Sequence, residues 1–78
     1  MNDKLRNAAR ELARYSYNMG ENIANHDNYE FWRAKYMAAR YMLYALTGLD
    51  GTTIGNEDNE VIVMLSDENN CYTFEFQF

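Results

Sequence analysis

The feature that most constrains this fold is residues 29–46, a segment patterned as an α-helix and apolar around nearly all of its circumference. Between positions 31 and 46 only Arg33, Lys35 and Arg40 are charged. At about 100° per residue, one line of side chains follows the spacing of a helical seam: Tyr29, Trp32, Tyr36, Ala39, Leu43 and Leu46. A second apolar line covers the opposite side: Phe31, Ala34, Ala38, Met42 and Ala45. A helix that is apolar on two sides must be covered on two sides, so we expect the rest of the chain to pack around it.

A first helix is predicted over residues 3–24, with Asn2 or Asp3 in position to cap its N-terminus. Its core-facing side is predicted from the helical spacing of seven residues: Leu5, Ala8, Ala9, Leu12, Ser16, Met19 and Ile23. Gly20 costs about 1 kcal/mol relative to alanine inside a helix. We interpret this glycine as the place where the second helix approaches closely.

A short break joins the two predicted helices. Asp27 is followed three residues later by Glu30, which matches an N-cap with a reciprocating carboxylate. Gly48 stands where a left-handed C-cap belongs at the end of the second helix. Because so short a connection places neighbouring helices antiparallel, the sequence predicts a helical hairpin over residues 3–47.

The C-terminal part of the chain predicts strands. Residues 61–65 are five consecutive apolar residues, typical of a strand buried on both faces or on one face plus an interface. Residues 71–78 alternate, and one side of that strand is aromatic: Tyr72, Phe74, Phe76 and Phe78. We expect this aromatic side to lie on the second helix.

The fold class predicted from these elements is α+β, in one domain spanning residues 1–78. An antiparallel two-helix hairpin is followed by an acidic, turn-rich loop over residues 49–60 and a β-hairpin over residues 61–78 (ααββ). The C-terminal antiparallel sheet has two or three strands, depending on whether residues 52–54 pair into it.

Charge is segregated along the chain. Residues 1–48 carry seven basic and five acidic side chains, a net charge of +2. Residues 49–78 carry seven acidic side chains and no basic one, which gives the whole chain its net charge of −5. Such asymmetry can set the sign of the surface that a partner must present.

The sequence predicts a cytoplasmic protein that does not enter a membrane. It begins with a polar, charged run and contains no apolar segment of the signal-peptide type. Its longest uncharged run, residues 41–49, is far too short to span a bilayer. The single cysteine excludes an internal disulfide and suits a reducing compartment.

No constellation of residues points to catalysis or metal binding. His26 and Cys71 are the only histidine and cysteine, and no feature of the sequence brings them together as a nucleophilic dyad. Residues 50–61 do not match the calcium-binding loop of an EF-hand, because the twelfth position is Val61 and the pattern requires a glutamate there. We therefore predict no catalytic, cofactor-binding or metal-binding residues, and a protein that is not an enzyme.

Three groups of residues are candidate surfaces for a partner. The first is an aromatic patch on the second helix: Trp32, Met37, Tyr41 and Tyr44. The second is a set of acids in two loops: Glu57, Asp58, Glu60, Asp67 and Glu68. The third is a basic face of the first helix: Arg6, Arg10, Arg14 and Tyr17. Each group also has an ordinary structural explanation. The aromatic residues can fill the core, the acids can keep the protein soluble, and the arginines can form a solvated helix face.

The favoured hypothesis is a non-enzymatic module that binds a protein partner and acts by occupying its surface. In size, acidity and asparagine-rich composition the chain is similar to anti-CRISPR proteins, inhibitors that phages and other mobile elements make. That resemblance implies a partner with a basic, nucleic-acid-binding surface, blocked sterically or by charge mimicry. A homo-oligomeric structural or regulatory protein, such as a homodimer, is the alternative. A small regulator that binds nucleic acid directly through the basic face comes third, because the acidic half repels a polyanion.

Overall fold

The computed structural model describes residues 2–55 and 58–78, apart from the side chain of Asn2, and consists of two helices followed by three strands. The elements are α1 (Asn2–Glu21), α2 (His26–Thr47), β1 (Asp50–Gly55), β2 (Glu60–Ser66) and β3 (Cys71–Gln77). The strands form one antiparallel sheet in the order β1-β2-β3. The predicted α+β fold is confirmed, and the segment left open in the sequence pairs as the third strand.

The ends of α2 are fixed by two caps, of which the sequence predicts one. The N-cap is Asn25, whose side-chain oxygen accepts a hydrogen bond from the backbone N–H of Asn28 at 3.1 Å. The predicted N-cap at Asp27 is therefore wrong. Gly48 adopts the left-handed conformation at φ 75°, and its N–H donates to the carbonyl of Tyr44 at 2.8 Å. The predicted C-cap is confirmed.

α1, and not α2, lies over the middle of the sheet. α1 contacts all three strands, whereas α2 contacts α1 and β1 but not β3. The buried core has three residues from α1 but only one from α2: Ala9, Leu12, Ala13, Leu43, Leu49, Val61, Val63, Leu65 and Phe76. The expectation that the chain packs around its most apolar helix is wrong. The small side chains Ala9 and Ala13 of α1 are fully buried, which suits close packing of that helix.

A helix and the sheet approach each other closely at Gly51 in β1. A Cβ atom at this position would lie 2.8 Å from Leu12 Cδ1 and 3.2 Å from Leu65 Cδ2. The absence of a side chain therefore makes room for α1. At Gly20 a Cβ atom would meet nothing within 4 Å, so the predicted close approach of the two helices at that glycine is wrong.

α2 is held at one edge of this core by a few contacts. Leu43 is its one buried side chain. The hydroxyl groups of Tyr36 and Thr53 hydrogen bond at 3.1 Å, and Thr53 in turn donates to Ser16 Oγ at 2.8 Å. This chain of hydroxyls links α2 to β1 and β1 to α1, and it fixes which side of α2 faces inward.

The sheet has one covered and one uncovered face. Direct cross-strand pairs put the aromatic side of β3 beside the buried residues of β2, under α1 rather than under α2 as predicted: Val61–Phe76, Val63–Phe74 and Leu65–Tyr72. Ile62 and Met64 point to the opposite face and are half-buried. In the described part of the chain, no helix covers that second face.

Candidate protein-binding surface

The side of α2 that faces away from the core is apolar and exposed. We call the following set the α2 outer face: Phe31, Ala34, Met37, Ala38, Tyr41, Met42, Tyr44, Ala45 and Leu46. Tyr41 and Leu46 keep 72% and 79% of their surface exposed. Lys35 borders the first turn of this face, with its Nζ 5.1 Å from the centre of the Phe31 ring. No charged side chain follows Arg40 in α2. An apolar strip that runs for about four helical turns is typical of an interaction site.

The predicted aromatic patch is divided by the structure. Met37, Tyr41 and Tyr44 lie on the α2 outer face. Trp32 is half-buried beside α1, with its ring centroid 6.1 Å from that of Tyr15. Three side chains of the patch are therefore accessible to a partner, while Trp32 belongs mainly to the packing between the helices.

Six residues of the α2 outer face were not among the predicted contact residues: Phe31, Ala34, Ala38, Met42, Ala45 and Leu46. Five of them are the second apolar line of α2 described in the sequence analysis, and Leu46 is the last residue of the first line. The signal was therefore present in the helical spacing. The sequence interpretation assigned this line to the core because it assumed that a second layer would cover it.

A groove of about 230 Å³ borders the α2 outer face on the side of β1. It is lined by Met37, Arg40, Tyr41, Tyr44 and Asp50. The Arg40 guanidinium donates to Asp50 Oδ1 at 3.0 Å and lies 5.9 Å from the centre of the Tyr36 ring. Its Nε is buried and has no hydrogen-bond partner within the described residues. Because its charge is already paired, Arg40 leaves the groove floor nearly neutral.

A second groove, of about 430 Å³, continues around the C-terminal end of α2. It is lined by Tyr44, Gly48, Asp50, Ser66, Asp67, Glu68 and Asn69. We call its three carboxylates, Asp50, Asp67 and Glu68, the acidic end. Because Tyr44 lines both grooves, the structure brings part of the aromatic patch and one of the predicted acidic loops into a single surface.

The other predicted acids lie elsewhere. Asp58 and Glu60 stand at the start of β2, whereas Asp67 and Glu68 follow its end. A strand of this length separates the two groups by about 20 Å. Glu60 is also half-buried. Glu57 lies outside the described residues. The described acids therefore form two separate surfaces, and the surface with Asp67 and Glu68 is the one that adjoins α2.

The Asp67 carboxylate stabilises the turn between β2 and β3. Its Oδ1 accepts hydrogen bonds from the backbone N–H groups of Asn69 at 2.8 Å and Asn70 at 2.7 Å. These two N–H groups lower the pKa of the Asp67 carboxyl below its usual value, because they stabilise its charged form. Asp67 therefore shapes the acidic end. Glu68 is its most accessible charge, because Asp50 is paired with Arg40.

The lowered pKa predicts a stability that depends on pH. A carboxyl whose pKa is lower in the folded chain stabilises the fold above its ordinary pKa of about 4. That contribution is lost as pH falls through the folded-state value. We expect Asp67→Asn to lower the melting temperature at pH 7, and we expect the difference from the original chain to shrink towards pH 2. Circular dichroism melts across this range measure it.

Glu68→Gln serves as the control for the Asp67 experiment, since it removes a neighbouring exposed carboxylate that holds no turn. Its melting temperature should follow that of the original chain at every pH. If the melting temperature of Asp67→Asn stays below that of the original chain by the same amount from pH 7 to pH 2, the charged form of the Asp67 carboxylate does not stabilise the turn.

The predicted basic face is packed against β3. The guanidinium carbons of Arg6 and Arg10 lie 5.2 and 5.5 Å from the centre of the Phe76 ring. Arg10 also donates to Asn7 Oδ1 at 3.3 Å. Both arginines therefore cover a core aromatic ring, with their stems on the protein and their charged ends towards solvent.

The remaining members of the basic face also have contacts within the chain. Arg14 pairs with Glu11 at 3.0 Å. The Tyr17 ring stacks on Phe78 with centroids 4.9 Å apart, and desolvation raises the pKa of its hydroxyl. A tyrosine already stacked on a neighbouring ring offers less of its face to a nucleic-acid base.

Groups that could support chemistry are dispersed. His26 begins α2 and Cys71 begins β3, two elements that do not touch. Within residues 2–55 and 58–78, no three His, Cys, Asp or Glu side chains are placed to hold a metal ion. Neither of the described helices is long and apolar enough to cross a bilayer.

Comparisons with known proteins return no relative. The chain matches no protein-family model, no curated protein and no solved structure. Its function must therefore be argued from the chemistry of its surface, of which the α2 outer face and the acidic end are the two distinctive parts.

Proposed function

We propose that this chain is a non-enzymatic protein-binding module that occupies a partner's surface with the α2 outer face. The observation that carries the proposal is the exposure of large apolar side chains along α2, with Tyr41 and Leu46 the most exposed of them. Covering apolar surface is favourable by about 25 cal/mol per Å². Tyrosine and methionine, which are prominent on this face, are enriched where proteins meet.

The acidic end supports a partner of a particular charge. Asp67 and Glu68 line the same groove as Tyr44, so an apolar contact made by α2 places carboxylates at its border. The complementary surface is an apolar groove with a basic rim, and basic residues are what phosphate-binding surfaces provide. We therefore propose an inhibitor of a nucleic-acid-handling protein, of the anti-CRISPR-like kind made by phages or mobile elements and acting in the cytoplasm.

The proposal is tested by capture with matched variants. The tagged chain is expressed in its native host, and the captured protein is purified for titration against each variant. Tyr41→Lys places a charge in the middle of the α2 outer face and should weaken binding by at least about 30-fold, as expected for an interface hot spot. Thr73→Lys, on the uncovered face of the sheet, introduces the same charge at another exposed site and should bind as the original chain does.

Two outcomes of this titration would overturn parts of the proposal. Equal affinity for Tyr41→Lys and the original chain, with both folded by circular dichroism, would remove the α2 outer face as the binding surface. Unchanged affinity for Glu68→Lys at low salt would remove the charge complementarity but leave the apolar contact, because exposed charges act mainly on encounter and are screened by salt.

A further inference from the structure

The α2 outer face contains a regular seam. Five of its residues follow one another at alternating spacings of three and four: Phe31, Ala34, Ala38, Tyr41 and Ala45. This spacing is that of the contact line between two packed helices. α1 does not use it, because α1 packs against the opposite side of α2, where Leu43 is buried. The chain therefore has a second helix-packing line that no described element occupies.

We propose that a second copy of this chain covers the α2 outer face when no partner is bound, through an antiparallel contact of the two α2 helices about a two-fold axis near Ala38. The inference rests on the proposed function, since it assigns a regulation to the same surface. The dimer holds the face closed, and a partner must displace the second copy to bind.

The order of side-chain sizes along the seam favours the antiparallel arrangement. With Ala38 at the axis, Phe31 of one copy lies against Ala45 of the second, and Tyr41 lies against Ala34. Each large side chain then meets a small one, so the helices can approach closely. A parallel pair would place Phe31 against Phe31 and Tyr41 against Tyr41, which holds the helices apart and leaves the alanines unpacked.

The charges beside the seam favour the same arrangement. In a parallel pair the two acidic ends would lie side by side and repel each other, and the two helix dipoles would be aligned. The antiparallel pair separates the acidic ends.

The size of the seam sets the expected strength. At 1.5 Å per residue, the segment from position 31 to position 45 gives a contact about 21 Å long. One helix per copy covers less than the roughly 800 Å² per partner of a standard stable interface. We therefore expect a dissociation constant of about 10–100 µM, weak enough for a tighter partner to displace the second copy.

Sedimentation velocity between about 1 and about 300 µM tests the dimer. The original chain should shift from monomer to dimer across this range. Ala38→Glu places two carboxylates at the axis and should remain monomeric throughout. Ala24→Glu makes the same exchange at an exposed alanine between the helices and should dimerise as the original chain does.

Disulfide trapping tests the orientation, in a Cys71→Ser background and a glutathione buffer. A mixture of the Ala34→Cys and Tyr41→Cys chains should form the mixed disulfide, because these positions oppose each other in the antiparallel pair. Disulfides formed only within each single variant would overturn the antiparallel arrangement.

The other outcomes separate this inference from the proposed function. A strict monomer at all concentrations would overturn the dimer while leaving the capture experiment with Tyr41→Lys to decide the binding function. A dimer that Ala38→Glu leaves intact would move self-association away from α2. A partner complex that retains two copies joined through α2 would overturn the competition between dimer and partner.

Discussion

Leu12→Ala should lower the free energy of unfolding by about 3 kcal/mol, one of the largest effects that a single substitution can have in this chain. Leu12 is 1% exposed and lies in the centre of the core cluster, under the position of Gly51 in β1. Its truncation removes apolar burial and leaves a cavity that the rigid α1 cannot close. For a domain of this size such a loss lowers the melting temperature by roughly 12–24 °C, and urea unfolding followed by circular dichroism measures it.

The matched control is Leu46→Ala, the same exchange on the α2 outer face. Leu46 is 79% exposed, so its truncation should change the free energy of unfolding by less than about 0.5 kcal/mol. The comparison is made at about 1 µM protein, where the proposed dimer is dissociated. Similar losses for the two variants would contradict the position of α1 as the central helix.

The contrast between these leucines shows how far the sequence determines the fold. Helical spacing, the Gly48 cap and the alternation in β3 are local signals, and each is reproduced by the structure. Local signals do not determine which of the two helices lies over the middle of the sheet. α2 has more and larger apolar residues than α1, yet Ala9 and Ala13 are fully buried and α1 is the helix that contacts all three strands. Counting apolar residues cannot rank the two helices, because close packing depends on side-chain size.

The binding surface is predictable only in part, for a related reason. A helix face buried by its own chain and a helix face that awaits a partner produce the same periodic pattern. The line through Phe31, Ala38 and Ala45 is therefore ambiguous in the sequence. The tertiary contacts resolve this ambiguity, since α1 and β1 are the elements that contact α2 and they leave its outer side uncovered. Tertiary contacts, rather than composition, identify the exposed line.

The acidic loops show a further limit. Their carboxylates are near one another in sequence because both loops flank a short strand, but an extended strand carries its two ends apart. Asp67 and Glu68 are brought to α2 by the antiparallel register that places Ser66 beside Asp50. Sequence proximity therefore predicts a single cluster, whereas the strand register divides the acids and joins one group to the aromatic side chains.

Phe76→Ala should also lower the free energy of unfolding by about 3 kcal/mol. Phe76 is 7% exposed, stands opposite Val61 in the register and forms part of the core cluster. Its removal takes away the largest side chain in the core and the surface on which Arg6 and Arg10 rest. Phe76→Leu keeps most of the apolar volume and should lose less than half as much in the same urea unfolding experiment.

The arginines above this ring decide between two explanations of the basic face. If Arg6 and Arg10 stabilise the fold by covering Phe76, their joint replacement by alanine should lower the free energy of unfolding by about 1–2 kcal/mol. Most of that loss should disappear in a Phe76→Ala background, because the ring that they cover is gone. Arg14→Ala is the control, since its guanidinium pairs with Glu11 at the surface and should contribute little. A double replacement without effect on stability would instead leave both arginines available to bind an anionic partner, and the basic face would regain its standing as a binding surface.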